Sequence, residues 1–125
     1  AHAGLPGYTL SAGLDTSSRA HTVQMAGGCG LTHLCPGEAA LADRLTQAGV
    51  VWSAYGENVG EGGPVPGTAA AIAQMAVGLT QDMLNEQPPD DGHRLNILSS
   101  SFRHIGISVL RDAAGTVWLT QDFSS

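Results

Sequence analysis

The C-terminal quarter of the chain constrains the fold most. Ile105, Ile107 and Val109 alternate with small residues, Asp112-Ala113-Ala114-Gly115 offers a turn, and Val117, Leu119 and Gln121 resume the period of two. That pattern is a β-hairpin, and a hairpin with an apolar face has to be covered by something else in the same chain. The cover is available upstream, where three segments carry helical spacing. Asp15 fits as an N-cap for a helix over 16–26 that ends at Gly27-Gly28. A second over 38–48 follows Pro36-Gly37 and stops at Gly49. A third is capped by Thr68, carries Ile72, Met75, Ala76, Leu79 and Met83 on one face, and is stopped by Pro88-Pro89. Between helices, 50–55 is rich in β-branched and aromatic residues and reads as a strand. Residues 60–67, rich in Gly and Pro, read as a loop, as do residues 1–14. A mixed α/β layered domain accommodates all of these.

At 125 residues the expectation is one domain spanning 1–125. With 42% hydrophobic and 13% charged residues the chain can hold a core. Its formal charge is −6, and all five basic residues are arginines scattered among eleven carboxylates. Nucleic-acid binding is therefore not expected, and the absence of lysine removes Schiff-base and P-loop chemistry. No run approaches the roughly 18 to 20 apolar residues of a membrane span. The chain opens on Ala1 rather than methionine, which reads as a mature or trimmed form of an exported protein.

Cys29 and Cys35 flank a Gly-rich loop of five residues, close enough for a local disulfide of the kind that persists outside a reducing cytosol. The rival is a thiolate metal site completed by His33, although neither a second cysteine pair nor a CxxC spacing is present. His33 in that loop is suited to metal binding or proton transfer. Glu57 follows the predicted strand, at a position from which side chains reach clefts. His93 begins the short helical segment 93–98, where the helix dipole disfavours imidazolium and leaves a neutral ring able to ligate a metal. Taken singly, each is as readily a turn, loop or capping residue.

The order of motifs adds to this. Residues 19–26 (Arg-Ala-His-Thr-Val-Gln-Met-Ala), Leu31-Thr32-His33, Gly56-Glu57-Asn58-Val59, 92–98 (Gly-His-Arg-Leu-Asn-Ile-Leu), 102–109 and 118–123 together resemble the bacterial branch of the CAP superfamily, the cysteine-rich secretory, antigen 5 and pathogenesis-related proteins with their SCP domain. The resemblance implies an α/β/α sandwich with a mostly antiparallel sheet, export from the cytoplasm, and a cleft with a His, Glu, Glu, His tetrad. Residue by residue these are His33, Glu57, Glu86 in Met83-Leu84-Asn85-Glu86, and His93. It implies a divalent metal, with zinc as the expected ion, held by His33 and His93 with Glu57 and Glu86. The expected role is a secreted binding module for a small-molecule, lipid, peptide or cell-wall ligand. The alternative is a metal-assisted hydrolase of peptides or cell-wall polymers with Glu57 or Glu86 as general base. A serine hydrolase is disfavoured because no Gly-x-Ser-x-Gly elbow exists. The rim 83–93 departs from the common bacterial form, so Asp90 or Asp91 is a candidate to line the cleft. His21 and Arg94 read as structural, His2 and His104 as incidental. The family builds more N-terminal helix than residues 1–14 provide, so a preceding segment is expected to be missing.

Overall fold

The computed structural model of the chain describes residues 7–125. In chain order it contains β1 (Thr9–Leu10), α1 (Ala12–Gln24), α2 (Leu41–Gln47), β2 (Tyr55–Gly62), α3 (Ala69–Leu84), α4 (Gly92–Ile97), β3 (His104–Arg111) and β4 (Val117–Ser124). The strands form one four-stranded sheet in the order β1-β3-β4-β2. Both β2 and β3 run antiparallel to β4, and only the two-residue β1 is parallel to its neighbour β3.

Strand β4 is the centre of the molecule, and all eight of its residues are buried. Alternation sends Trp118, Thr120 and Asp122 to one face and Val117, Leu119, Gln121 and Phe123 to the other. Helices α1 and α2 cover the first face. There Thr22 donates to the Thr120 hydroxyl at 2.7 Å, and Trp118 packs with Met25, Cys35 and Val59. Helices α3 and α4 cover the second. Gln121 donates to Thr80 of α3 at 3.0 Å, and Phe123 stacks on Phe102 with centroids 5.5 Å apart. The result is a three-layer α/β/α arrangement with a mostly antiparallel sheet.

Two contacts need glycine. A Cβ on Gly106 would lie 2.1 Å from the Leu14 carbonyl carbon, so the absence of a side chain there is what lets α1 lie on β3. On the opposite face, a Cβ on Gly62 would meet the Met75 sulfur at 2.7 Å. Glycine here marks close approach of another element to a strand.

The hairpin and the third helix follow the expected pattern, and Thr68 caps α3 by accepting from Ala71 N–H at 3.2 Å. Three local expectations are corrected. Helix α1 begins at Ala12, capped by the Ser11 hydroxyl, rather than after Asp15, so within the expected loop 9–10 is strand and 12–14 is helix. Asp15 instead accepts the Ile107 N–H at 3.0 Å, satisfying a donor on β3 beyond the reach of the short β1. Residues 50–54 are not a strand; β2 starts at Tyr55 and runs on through Gly60 to Gly62, into the Gly-rich stretch expected to be loop. The second helix is shorter than 38–48, leaving Glu38 in the preceding loop. Among the described residues no helix is long and apolar enough to cross a membrane. His2 lies outside the described residues.

Candidate functional site

The Cys29–Cys35 disulfide is formed, closing the loop that carries His33. Upstream of it α1 passes into a wide π-type turn, Met25–Cys29, which relaxes at Gly28 with φ of +125°, a conformation that favours glycine. The loop then folds back toward β2, where His33 Nδ1 meets Glu57 Oε1 at 2.9 Å.

Glu57 is almost fully buried and is gripped from two sides. Arg44 of α2 donates to Oε2 at 3.1 Å and to Oε1 at 3.4 Å, and also to the His33 carbonyl at 3.2 Å. Beneath lies Asp122 of β4, directly paired in register with Glu57 and, among the described residues, with neither oxygen accepting a hydrogen bond. Two carboxyl groups in one dry site cannot both ionise cheaply. Burial and the adjacent Glu57 push Asp122 up to about 9. For Glu57 burial also opposes ionisation, but bonds from His33, Asp122 and Arg44 outweigh it and hold the carboxyl at about 2. At neutral pH Asp122 is thus the proton carrier of the pair and Glu57 the anion. The Glu57 contact in turn raises the His33 ring above its usual value, against the smaller opposing effect of partial burial.

A second histidine–carboxylate pair is built from α4 and the segment before it. His93 Nδ1 meets Glu86 Oε2 at 2.7 Å, and the other Glu86 oxygen accepts the Arg94 N–H at 3.1 Å. Burial disfavours the Glu86 anion, yet these two bonds prevail and its carboxyl lies below its ordinary value. Two asparagines hold α4 to β2 beside Glu57. Asn58 Nδ2 donates to the His93 carbonyl at 3.2 Å and to Gln121 at 3.1 Å, and Asn96 Nδ2 donates to the Glu57 carbonyl at 3.2 Å and to Asn58 Oδ1 at 2.8 Å.

Both pairs share one orientation. Each imidazole turns Nδ1 to a carboxylate, and among the described residues neither His33 nor His93 uses Nε2 in a protein hydrogen bond. Both side chains are partly open to solvent, 59% for His33 and 36% for His93. A carboxylate on one ring nitrogen fixes the tautomer with the lone pair on the other, the arrangement by which proteins orient metal-binding histidines.

The fold, the disulfide and the two His–Glu pairs coincide with a match to a known family. The sequence profile of the cysteine-rich secretory protein family, CAP, matches residues 1–123. The chain belongs to the CAP family. Among its bacterial relatives is the uncharacterized protein YkwD of Bacillus subtilis (strain 168). The two are 26% identical over 120 residues, 96% of this chain and 40% of YkwD. An extracellular protein containing an SCP domain from Bacillus anthracis str. Ames superposes with a TM-score of 0.70 at 24% identity, over 96% of this chain and 34% of that one. An outer surface protein of Borrelia burgdorferi superposes with a TM-score of 0.71 at 12% identity, over 97% of this chain and 79% of that one. This CAP chain thus spans well under half the length of either Bacillus protein. The shared fold is the α/β/α sandwich described above.

The remaining candidates fall into place around the pairs. Asp91 is buried and turned toward Arg94, 3.6 Å away, and Asp90 is exposed. His104 bonds the Ser125 carbonyl at 2.9 Å. His21 is fully buried, with Nδ1 at 2.7 Å from Glu38 and Nε2 at 2.6 Å from the Thr32 carbonyl. Among the described residues, the group of three whose ligand-type atoms lie within 4.8 Å of one another is His21, Cys35 and Glu38. With Cys35 in the disulfide that group offers no thiolate. Arg44, Glu38 and Asp122 do not stand out as site residues from sequence. For Asp122 a signal exists: a carboxylate alternating with Trp118 and Thr120 in a strand covered on both faces has to be buried.

Proposed function

We propose that the chain is an extracytoplasmic CAP module in which His33 and His93 hold a divalent cation, zinc being the best match to imidazole donors, while Glu57 and Glu86 orient the two rings. The observation that carries this reading is the pair of Nδ1–carboxylate contacts, with neither Nε2 bonded among the described residues. When bound, the metal supplies a Lewis-acidic point at which a ligand oxygen or carboxylate can dock. The residues of the chain bind, orient and electrostatically balance; Arg44 neutralises Glu57 so that the carboxylate can stay buried.

A binding role suits the glutamates better than a hydrolytic one. A general base needs a carboxylate with a free lone pair and an affinity for protons near the working pH. Both Glu57 oxygens are bonded and its carboxyl is held at about 2, and both Glu86 oxygens are bonded as well. We therefore read the cleft as a non-catalytic receptor for an extracellular small molecule, lipid, peptide or cell-wall fragment, in keeping with structural relatives described as extracellular or outer-surface proteins. Calorimetric zinc titration tests the metal. Wild type should take one equivalent, with affinity well short of a four-ligand structural site. His33→Ala and His93→Ala should each abolish measurable binding; unchanged binding in both would remove the pairs from the reading.

A further inference from the structure

A second cluster lies on the buried side of the disulfide loop, apart from His33 and His93. We propose that when the Cys29–Cys35 disulfide is reduced, the two thiolates, His21 and Glu38 form a closed zinc site that takes over the disulfide's task of pinning the His33 loop.

The geometry supplies three ligands directly. Atoms of His21, Cys35 and Glu38 lie within 4.8 Å of one another, and tetrahedral zinc with ordinary Zn–S and Zn–N lengths needs separations of about 3.5 Å. Cys29, bonded to Cys35 with Cα atoms 5.7 Å apart, lies outside that group of three and becomes the fourth ligand once the broken disulfide lets its side chain turn toward His21 and Glu38. The surroundings of a metal site are also in place. His21 Nε2–H is held by the Thr32 carbonyl at 2.6 Å, which leaves Nδ1 as the ligating atom. The Cys35 N–H donates to Glu38 Oε1 at 3.0 Å, and Arg44 Nε, which has no hydrogen-bond partner among the described residues, stands 3.6 Å from Glu38 Oε2. Two thiolates and one carboxylate around Zn²⁺ leave one net negative charge, which lies beside the guanidinium that Arg44 shares with Glu57. The sulfur separation has to widen, and the segment beside Cys29 is not packed in: a Cβ at Gly27, Gly28 or Gly30 would meet nothing within 4 Å, so no neighbour blocks a shift there. Cys35, His21 and Glu38 are all essentially shielded from solvent, which suits a structural site and not a catalytic one.

The step balances with a phosphine as reductant. The phosphine gives two electrons and becomes its oxide with oxygen from water, and the disulfide becomes two thiols. Zinc binding then releases the two thiol protons, together with the one shared between His21 Nδ1 and Glu38.

The test uses the full chain carrying His33→Ala and His93→Ala, so that metal bound at the cleft cannot contribute. The protein is reduced with a water-soluble phosphine and titrated with Co²⁺, and unreduced protein is titrated in parallel. The reduced chain should develop thiolate-to-cobalt charge transfer and tetrahedral d–d absorption at one equivalent, displaced by one equivalent of Zn²⁺, while the oxidised chain shows neither. Zinc should slow alkylation of the cysteines by at least about ten-fold, because the bound thiolate is no longer a free nucleophile. Glu38→Gln should weaken cobalt binding without loss of the far-ultraviolet circular dichroism of the oxidised chain. A reduced chain without the thiolate band overturns the proposal, whether it stays folded or unfolds and is not restored by zinc. So does a band unaffected by both Glu38→Gln and His21→Gln, since the cysteines would then be binding alone. Failure of cleft binding in the parent protein leaves this result untouched, and the two readings fall separately.

Discussion

Replacing Asp122 with Asn probes the buried carboxyl pair directly. In the unfolded chain Asp122 ionises near 3.8, whereas in the fold it keeps its proton to about 9. Between those values the folded state binds one proton more than the unfolded state, so stability falls as pH rises, by about 1.4 kcal/mol per pH unit. Glu57 adds nothing to this slope above its unfolded value of 4.5, because it is ionised in both states there. Wild type should therefore lose on the order of 3 kcal/mol between pH 5.5 and 7.5, which for a chain of this size moves a urea midpoint by roughly 1 M or more. An asparagine keeps the shape and a donor toward Glu57 but has no proton to lose. Asp122→Asn should match wild type near pH 4 and exceed it by on the order of 4 kcal/mol at pH 7. His33, whose raised affinity for a proton stabilises the fold below its unfolded value of 6.5 and ceases to do so as pH climbs through the folded value, slopes in the same direction. It is present in both proteins, so the difference between them isolates Asp122. The assay is urea unfolding by circular dichroism at half-unit pH steps with a chelator present. Parallel stability curves for the two proteins would mean that Asp122 ionises normally, and the account of the pair would be wrong.

Gly106→Ala puts a methyl group 2.1 to 2.4 Å from the Leu14–Asp15 backbone, so α1 must lift off the sheet; a loss of about 3 kcal/mol or more, read by thermal unfolding, is expected. Glu86→Gln keeps the shape but removes the anion that orients His93, and zinc affinity should drop about 10- to 100-fold by calorimetry. Because a ligating imidazole must be deprotonated and the His33 ring has a raised affinity for protons, zinc affinity should begin to fall already above pH 6.5 as acid is added. A profile that stays flat down to pH 6 would separate His33 from the metal.

The hairpin and α3 are legible because their apolar periods are long and end in turn residues. Strand β2 lies later in the chain than its β-branched run suggests, for a physical reason. Its Gly56, Gly60 and Gly62 look like loop residues, but they are where Phe102, Met83 and Met75 press against the backbone, so the packing side chains come from the neighbours. The valines and Trp52 of 50–54 have β propensity but no strand to pair with; Ser53 and Ala54 are instead tied to the Ser125 hydroxyl. Within the site, the four His and Glu residues emerge from the order of short motifs and pair as two couples. Arg44 and Glu38 do not emerge, because single charges around a short helix read as solvated surface. Their burial goes with bonds to the disulfide loop, Arg44 to the His33 carbonyl and Glu38 to the Cys35 N–H, which no local pattern encodes.

The asparagine contacts between α4 and β2 bear on how such a cleft can be altered. Asn58 and Asn96 join the backbone of Glu57 to that of His93 across four hydrogen bonds, all among strand, helix and the central Gln121. They act as a gauge that sets the spacing of the Glu57 and His93 backbones without help from the rim residues 87–90 or from the loop at 63–67. Those two segments can therefore be exchanged, lengthened or recharged to change what enters, while the instrument that receives it keeps its calibration.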